Sequence, residues 1–487
     1  MLAFCMLPGA ATTAASDTVA FASPFADGMV LQRDIPVRVW GSAAAGQKVR
    51  VEFAGECAEA VAGPDGRWQA ELPPMKASRE GRTLSANGTE IRDVLVGEVW
   101  LCSGQSNADC PIWGENPRYR DGWGMSTLLS TRKPHERFVR TPNVMSAEPR
   151  RDVGVKWRRM TPELADLWRK GAPLPSAVGF YYALGLANAL EVPVGLIDSS
   201  WGGTNIDAWT PCSGYAGAAG LEAERDWKRV SCEEWRPEMR KGVVKDAIQQ
   251  PSVLWNGMVA PYAPMSVRGF IWYQGCSNIG ESGRYAPKMH ALYNGWKREF
   301  RKDDLSMYFV QVAPWGNPDI ADLQEAQARF AAEEKNAAMA VICDVGNLND
   351  IHPNDKRTVA HRLLLHALRR DYGWAQVRDE SPTLREWKID GNKFVLSFSD
   401  AEGWYVYNQD RSLATGFEVC GADGIWRKGK ILNLDGSAGR IKGRDVVVSA
   451  DGLSDPRKLR YLHSHPWFGA LYSDACLPLG AFHIGEP

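Results

Sequence analysis

The chain has 487 residues, a formal net charge of −1 and 44% hydrophobic residues. That length exceeds one ordinary core and predicts two or three globular domains. The near-zero charge supplies no one-signed field to draw the chain to nucleic acid or an anionic bilayer, so no nucleic-acid partner is expected.

Residues 1–17 open apolar and turn small and polar, which reads as the end of a secretory signal peptide lacking its positive n-region, or as a disordered tail. No later stretch offers eighteen consecutive apolar residues, so no membrane span is expected. Residues 18–93 carry short alternating runs (Val37 and Val39; Val49, Val51 and Phe53; Trp68, Ala70 and Leu72). Asp27-Gly28, Asp65-Gly66 and Asn87-Gly88 turns separate them, predicting a small antiparallel β-sandwich.

Residues 94–101 form a largely apolar run, with Glu98 within it, that ends in Gly104-Gln105-Ser106-Asn107. A buried strand breaking into small polar residues is where an open α/β sheet meets its ligand crevice. An isolated Gly-x-Ser-Asn is more often only a helix-capping turn. Residues 111–157 are irregular and rich in Pro, Arg and Trp, and loops this long commonly cover a site.

A helical stretch from Ser176 leads to an apolar run at residues 192–198, which ends in Trp201-Gly202-Gly203-Thr204. Residues 213–250 are charged and read as a helical insertion. Further strands are expected at 268–273, ending in Gln274-Gly275-Cys276-Ser277-Asn278, at 307–312 and at 339–343, with a helix over 322–335 between the last two. The 339–343 strand leads to Asp350-Ile351-His352-Pro353, where Pro353 suits the first turn of a helix that Gly373 would end. Alternating strands and helices predict an α/β fold with a parallel sheet covered on both faces. After about residue 379 the strand alternation returns (Phe394, Leu396, Phe398; Val446, Val448), predicting a C-terminal β domain over 379–487.

Four apolar strands of the 94–378 region thus each end in a polar cluster, and in a parallel sheet those ends share one edge. Acyl transfer needs a nucleophile, a base, a group to orient the base, and oxyanion donors. Ser106 fits the nucleophile and His352 the base. Backbone N–H groups at Ser106 and at Gly202 or Gly203, with the Asn278 amide, fit the oxyanion hole. Taken singly, each is as well explained as a turn or cap residue; the shared context is what carries the assignment. His361 and His366, five apart, do not share a helix face.

The ten cysteines show no Cys-x-x-Cys pair and no Cys/His grouping at zinc spacing, so neither metal nor cofactor is expected, and Cys102 and Cys110 are read as free buried thiols. The twenty tryptophans are read mainly as core residues.

In order, Gly-Gln-Ser-Asn, Trp-Gly-Gly-Thr, Trp-Tyr-Gln-Gly-x-Ser-Asn and Asp-Ile-His-Pro resemble the sialate O-acetylesterases of the SGNH-hydrolase superfamily. Residues 254–262, 308–314 and 460–469 resemble family segments too. The resemblance implies a three-layer α/β/α SGNH-hydrolase catalytic domain flanked by small β-sandwich-like domains, secreted or periplasmic, and metal-independent. It implies Ser106 as nucleophile, His352 as base, and Gly202 or Gly203 with Asn278 as oxyanion donors; Gln105 and Gln274 are expected to bind substrate. The expected partner is a small-molecule or glycan substrate bearing O-acetyl groups, with acetate released from O-acetylated sialic acid through an acetyl-serine intermediate. Acetylxylan or another acetylated polysaccharide is the alternative substrate, and a catalytically inactive glycan-binding protein the alternative class. A lipid esterase lacks its Gly-x-Ser-x-Gly elbow.

Two departures from the family pattern stand out. Cys276 occupies the place of a usual glutamate. The acid near the base is Asp350, two residues before His352, while Asn349 holds the usual position three before. Asp350 in an extended turn would face the imidazole; otherwise a main-chain carbonyl orients it. Arg137, Arg140, Arg150 and Arg151 are candidates for a sugar carboxylate, or simply a solvated basic face.

Overall fold

The computed structural model describes residues 18–114, 116, 121–131, 135–226, 247–406, 416–436, 439–463 and 471–485. The expected leader lies outside these residues, as do residues 227–246 of the expected insertion and 464–469 of the last family-like segment.

One strand organises the molecule. Thr89–Gly104 runs unbroken for sixteen residues. Its first half pairs antiparallel with Ser78–Ala86 and parallel with Val30–Gln32. Its second half lies between Val194–Ser200 and Gly269–Tyr273, parallel to both. The expected division at residues 93/94 therefore falls inside a continuous strand, and the N-terminal β domain and the catalytic sheet share one eleven-stranded sheet. Glu98, fully buried on that strand, fastens the join: it accepts from Gln32 Nε2 at 3.0 Å, Arg33 Nε at 2.5 Å and Arg268 Nε at 3.2 Å.

Across the catalytic sheet the order is Arg158–Arg159, Glu136–Arg140, Val194–Ser200, Thr89–Gly104, Gly269–Tyr273, Ser306–Val310 and Ala337–Ala340. All neighbours are parallel except the short first strand. Alternate strand residues face opposite ways. Val99, Leu101, Phe270, Trp272, Met307 and Phe309 join one core with the helices Ser282–Phe300 and Ile320–Glu333. Trp100, Cys102, Ile271, Tyr273 and Tyr308 join the other with Ala177–Leu190 and Lys356–Arg370. This is the expected α/β/α layering, and it explains why these strands read as unbroken apolar runs. Each large aliphatic side chain so buried contributes about 1.5–3 kcal/mol.

Two elements differ from the sequence reading, and a third, Ser282–Phe300, is not assigned by it. Glu136–Arg140 is a strand within the stretch expected to be irregular; its charged residues disguised it, and they are buried because Arg137 meets Asp93 at 3.2 Å and Arg140 meets Asp198 at 2.7 Å. Ser282–Phe300 contains Pro287 and Gly295, both signals against a helix interior. Gly295 is there for contact, since a Cβ would stand 2.5 Å from Pro211 Cγ. The helix after His352 begins at Lys356, not at Pro353, with Asp355 as its cap accepting from Thr358 N at 2.9 Å.

The N-terminal strands Val37–Ser42, Lys48–Phe53 and Arg67–Leu72 fall on the alternating runs, and Asn87-Gly88 turns at positive φ as a hairpin loop. The C-terminal region forms three four-stranded antiparallel sheets. Its core contains Phe394, Leu396, Val446 and Val448 and continues into Val341 and Cys343 of the catalytic domain. Cys102 and Cys110 are free and buried. No helix among the described residues is long and apolar enough to cross a membrane.

Candidate active site

Three strand ends stand level. Gly104 is in register with Ser200 on one side and Tyr273 on the other, so residues 105–106, 201–203 and 274–278 emerge together at one sheet edge. Gly104 (φ 138°) passes so close to Tyr273 that a Cβ would lie 2.2 Å from its carbonyl oxygen, and only glycine makes that passage. Gln105 N then donates to Tyr273 O at 3.0 Å and Trp201 N to Gly104 O at 3.1 Å. The chain enters a one-turn helix, Ser106–Asp109, that presents Ser106.

His352 arrives from the loop after the edge strand Ala337–Ala340 and folds back over the sheet. Its Nε2 is 2.9 Å from Ser106 Oγ. Asp350 curls onto its own loop: its Oδ1 accepts from His352 N at 2.9 Å and stands 3.3 Å from His352 Nδ1. The loop is clamped to the serine helix. Asn107 Nδ2 donates to Ile351 O at 2.9 Å, and Lys356 Nζ donates to Asn107 Oδ1 and to Pro353 O, both at 2.6 Å. Lys356 is wholly buried, with its ammonium over the Tyr273 ring at 5.7 Å. Among the described residues no carboxylate lies within ion-pair distance of it.

These groups set the charge state of the base. Burial holds the His352 imidazole below the usual histidine range and the Lys356 ammonium pushes it further down, against the opposing pull of Asp350. An imidazole held neutral in this way can accept a proton at neutral pH.

Ser106 and His352 open on a cavity of about 540 Å³ lined by Gln105, Ser106, Asp109, Asn143, Trp201, Gly202, Gly203, Cys276, Ser277, Ile351 and His352. Gly202 packs directly on the nucleophile: a Cβ there would lie 3.4 Å from Ser106 Cβ. Gly203 turns at φ 75° and its carbonyl is held away by Gln249 Nε2 at 2.6 Å. Cys276 stands in the lining with its thiol pushed up to about 12 by burial, so it is a protonated, inert wall where a carboxylate would have been charged.

Other expected site residues do something different. Gln274 is 1% exposed and does not line the cavity. Its amide donates to Thr204 O at 3.1 Å and Asn278 Oδ1 at 2.7 Å while Tyr285 OH donates to its Oε1 at 2.7 Å, so the expected substrate contact is corrected to a buried tie between loops. Asn278 is equally buried and also absent from the lining. Its Nδ2 donates to Glu281 at 2.8 Å and its Oδ1 accepts from Ile206 N at 3.0 Å, an arrangement that braces the Gly202 loop and does not present the amide to an oxyanion. Gln105 does line the cavity, yet its Oε1 accepts from Gly275 N at 3.1 Å and Ser277 N at 3.2 Å.

The four arginines are not one solvated face. Arg137 is buried against Asp93. Arg140 lies under the nucleophile helix, donating to Asp198 at 2.7 Å, to Ser200 Oγ at 3.1 Å and to Asp109. Burial opposes its charge, but Asp198 and Asp109 outweigh that and hold the guanidinium above its ordinary value. None of the four lines the cavity. Asn107, Lys356, Asp109 and Asn143 escaped the sequence reading. Asn107 follows the serine directly, and Lys356 lies four residues past the histidine; only that proximity in sequence hinted at either.

Comparison with known proteins agrees with this geometry. The family described as carbohydrate esterase, sialic acid-specific acetylesterase matches residues 96–363, a span that runs from the nucleophile strand through His352. Sialate O-acetylesterase of Rattus norvegicus is 31% identical over 445 residues, covering 80% of each chain. The chain belongs to this family. The Homo sapiens sialate O-acetylesterase is 29% identical over 441 residues, covering 82% of this chain and 79% of its own. A carbohydrate acetylesterase from Xanthomonas citri superposes with a TM-score of 0.80 at 29% identity, over 96% of this chain and all of that one. This member of the sialic acid-specific acetylesterases is accordingly a carboxylic ester hydrolase of carbohydrate O-deacetylation.

Proposed function

We propose that the protein releases acetate from O-acetylated sialic acid through an acetyl-Ser106 intermediate. The observation that carries this reading is the 2.9 Å approach of His352 Nε2 to Ser106 Oγ, made by residues 246 apart in the chain. His352 takes the Ser106 proton as the oxygen attacks the acetyl carbonyl, and Asp350 at 3.3 Å from Nδ1 steadies the imidazolium that forms. Backbone N–H groups of Ser106 and of Gly202, the glycine packed on the nucleophile, receive the oxyanion. His352 then returns its proton to the departing sugar hydroxyl, and water, activated by the same imidazole, frees acetate and Ser106.

The relatives named as sialate O-acetylesterases support the substrate. One observation favours a second reading, deacetylation of a neutral polysaccharide: among the described residues the cavity lining contains Asp109 but no lysine or arginine to meet a sugar carboxylate. Acetate release from 9-O-acetylated sialic acid and from acetylated xylan, measured side by side, separates the two. Ser106→Ala should lower release from the true substrate by about six orders of magnitude; an active Ser106→Ala chain would refute the serine mechanism. We also propose export from the cytoplasm, supported by the apolar-then-small residues at the amino terminus, to be checked by fractionating cells that express the full chain.

A further inference from the structure

Away from the cavity, three residues from distant parts of the chain meet where the catalytic domain touches the C-terminal β domain. Glu325 lies on the helix Ile320–Glu333, His463 follows the strand Pro456–Tyr461, and His483 is in the strand Phe482–Ile484. His463 Nε2 is 2.7 Å and His483 Nδ1 2.8 Å from the same oxygen, Glu325 Oε1. The two imidazoles stand at 82° to each other with centroids 5.4 Å apart. We propose that Glu325, His463 and His483 bind a divalent metal ion of the zinc type that staples the two domains together.

Two imidazoles and a carboxylate are a donor set that suits zinc. Their three ligand atoms already lie within 4.8 Å of one another. A tetrahedral ion with bonds of about 2.1 Å needs its ligands roughly 3.4 Å apart, so the two nitrogen–oxygen separations must open by about 0.6–0.7 Å.

The surroundings favour a cation. Asp322, one turn before Glu325, places Oδ1 3.9 Å from the opposite nitrogen of His463. At that distance the carboxylate makes no hydrogen bond to the ring but adds negative charge beside it, on the side away from Nε2. Among the described residues no lysine or arginine pairs with Glu325 or Asp322. The contrast is with His366, Asp379 and Glu380, the other grouping of ligand-type residues, where Arg370 donates to Asp379 at 2.9 Å and also meets Glu380, so a guanidinium already fills the cationic place. Access differs too: the side chains of Glu325 and His483 are 21% and 30% exposed, which leaves an entry path and a vertex for water, while His463 is 5% exposed and anchors the site.

The test is calorimetric titration of the full chain, stripped with chelator, with zinc sulfate. The expected result is one ion per chain at micromolar affinity or tighter, with Tm raised by roughly 2–5 °C at saturating zinc. Glu325→Gln and His483→Ala should each weaken binding at least tenfold and abolish the Tm rise, whereas His352→Ala should bind zinc as the parent does. His483 is the more exposed ligand, so its variant keeps the test valid should His463→Ala fail to fold. The absence of saturable binding overturns the site, as does binding that survives in Glu325→Gln and His483→Ala or disappears in His352→Ala.

Discussion

Two cations are buried beside the same serine, and they are treated in opposite ways. Arg140 sits between Asp198 and Asp109, charge matched by charge. Among the described residues Lys356 Nζ meets an amide oxygen, a carbonyl and a ring face but no carboxylate at ion-pair distance, and burial pushes its ammonium below the ordinary lysine value. The first arrangement is a fastening: the guanidinium joins the strand Glu136–Arg140, the strand Val194–Ser200 and the nucleophile helix. The second leaves positive charge uncancelled, and His352 is where that charge is felt. Pairing thus decides whether a cation beside this serine holds the scaffold or tunes the chemistry.

Breaking the paired cation should have the largest effect. Arg140→Met strands the buried carboxylate of Asp198 and takes the partner from the partly exposed Asp109, and should cost about 3–5 kcal/mol of stability, read as a lowered midpoint in urea unfolding. An unchanged midpoint would show that Asp198 and Asp109 relax to solvent. Lys356→Met should cost less, about 1–3 kcal/mol, because it leaves Asn107 Oδ1 and Pro353 O without their donor. Its distinguishing signature is in pH. With the repelling charge removed the His352 pKa rises, so the acid limb of the kcat/KM profile moves to higher pH. A limb that stays in place would mean Lys356 acts only as a clamp.

Asp350→Asn should move that limb the other way. Asp350 raises the His352 pKa, so its loss lets the base remain neutral at still lower pH. Turnover should nevertheless fall roughly ten- to a hundredfold, because the imidazolium formed during attack loses its partner. Full turnover in this variant would assign the orienting role to a main-chain group. The smallest effect is expected of Cys276→Glu, which sets a carboxylate beside a group already within the electrostatic reach of Lys356. It should raise the acid limb slightly by offsetting the lysine, leaving kcat near the parent value above that limb.

Much of the site was legible because strands buried on both faces announce themselves as apolar runs and stop where polar residues begin. Ser106, Gly202 and His352 were found from those endings, and all three line one cavity. Gln274 and Asn278 sit in the same kind of ending, yet their amides are consumed by Thr204, Tyr285, Ile206 and Glu281. A motif shows that a polar residue stands near the edge, but not which way it faces. Glu136–Arg140 was missed for a related reason: arginines in a strand read as surface until their carboxylates, 44 and 58 residues away, are known.

By itself, then, the chain's pattern of apolar runs and glycines determined the α/β/α layering, the strand endings and the nucleophile turn, because those depend on backbone geometry and burial over a few neighbouring residues. Tertiary structure alone decided the rest. It carried one strand through both the N-terminal and catalytic sheets, turned two expected ligand-binding amides into braces, paired Arg140 and left Lys356 unpaired. Each of those outcomes depends on the distance and dielectric between groups far apart in sequence, and neither quantity exists until the chain has folded.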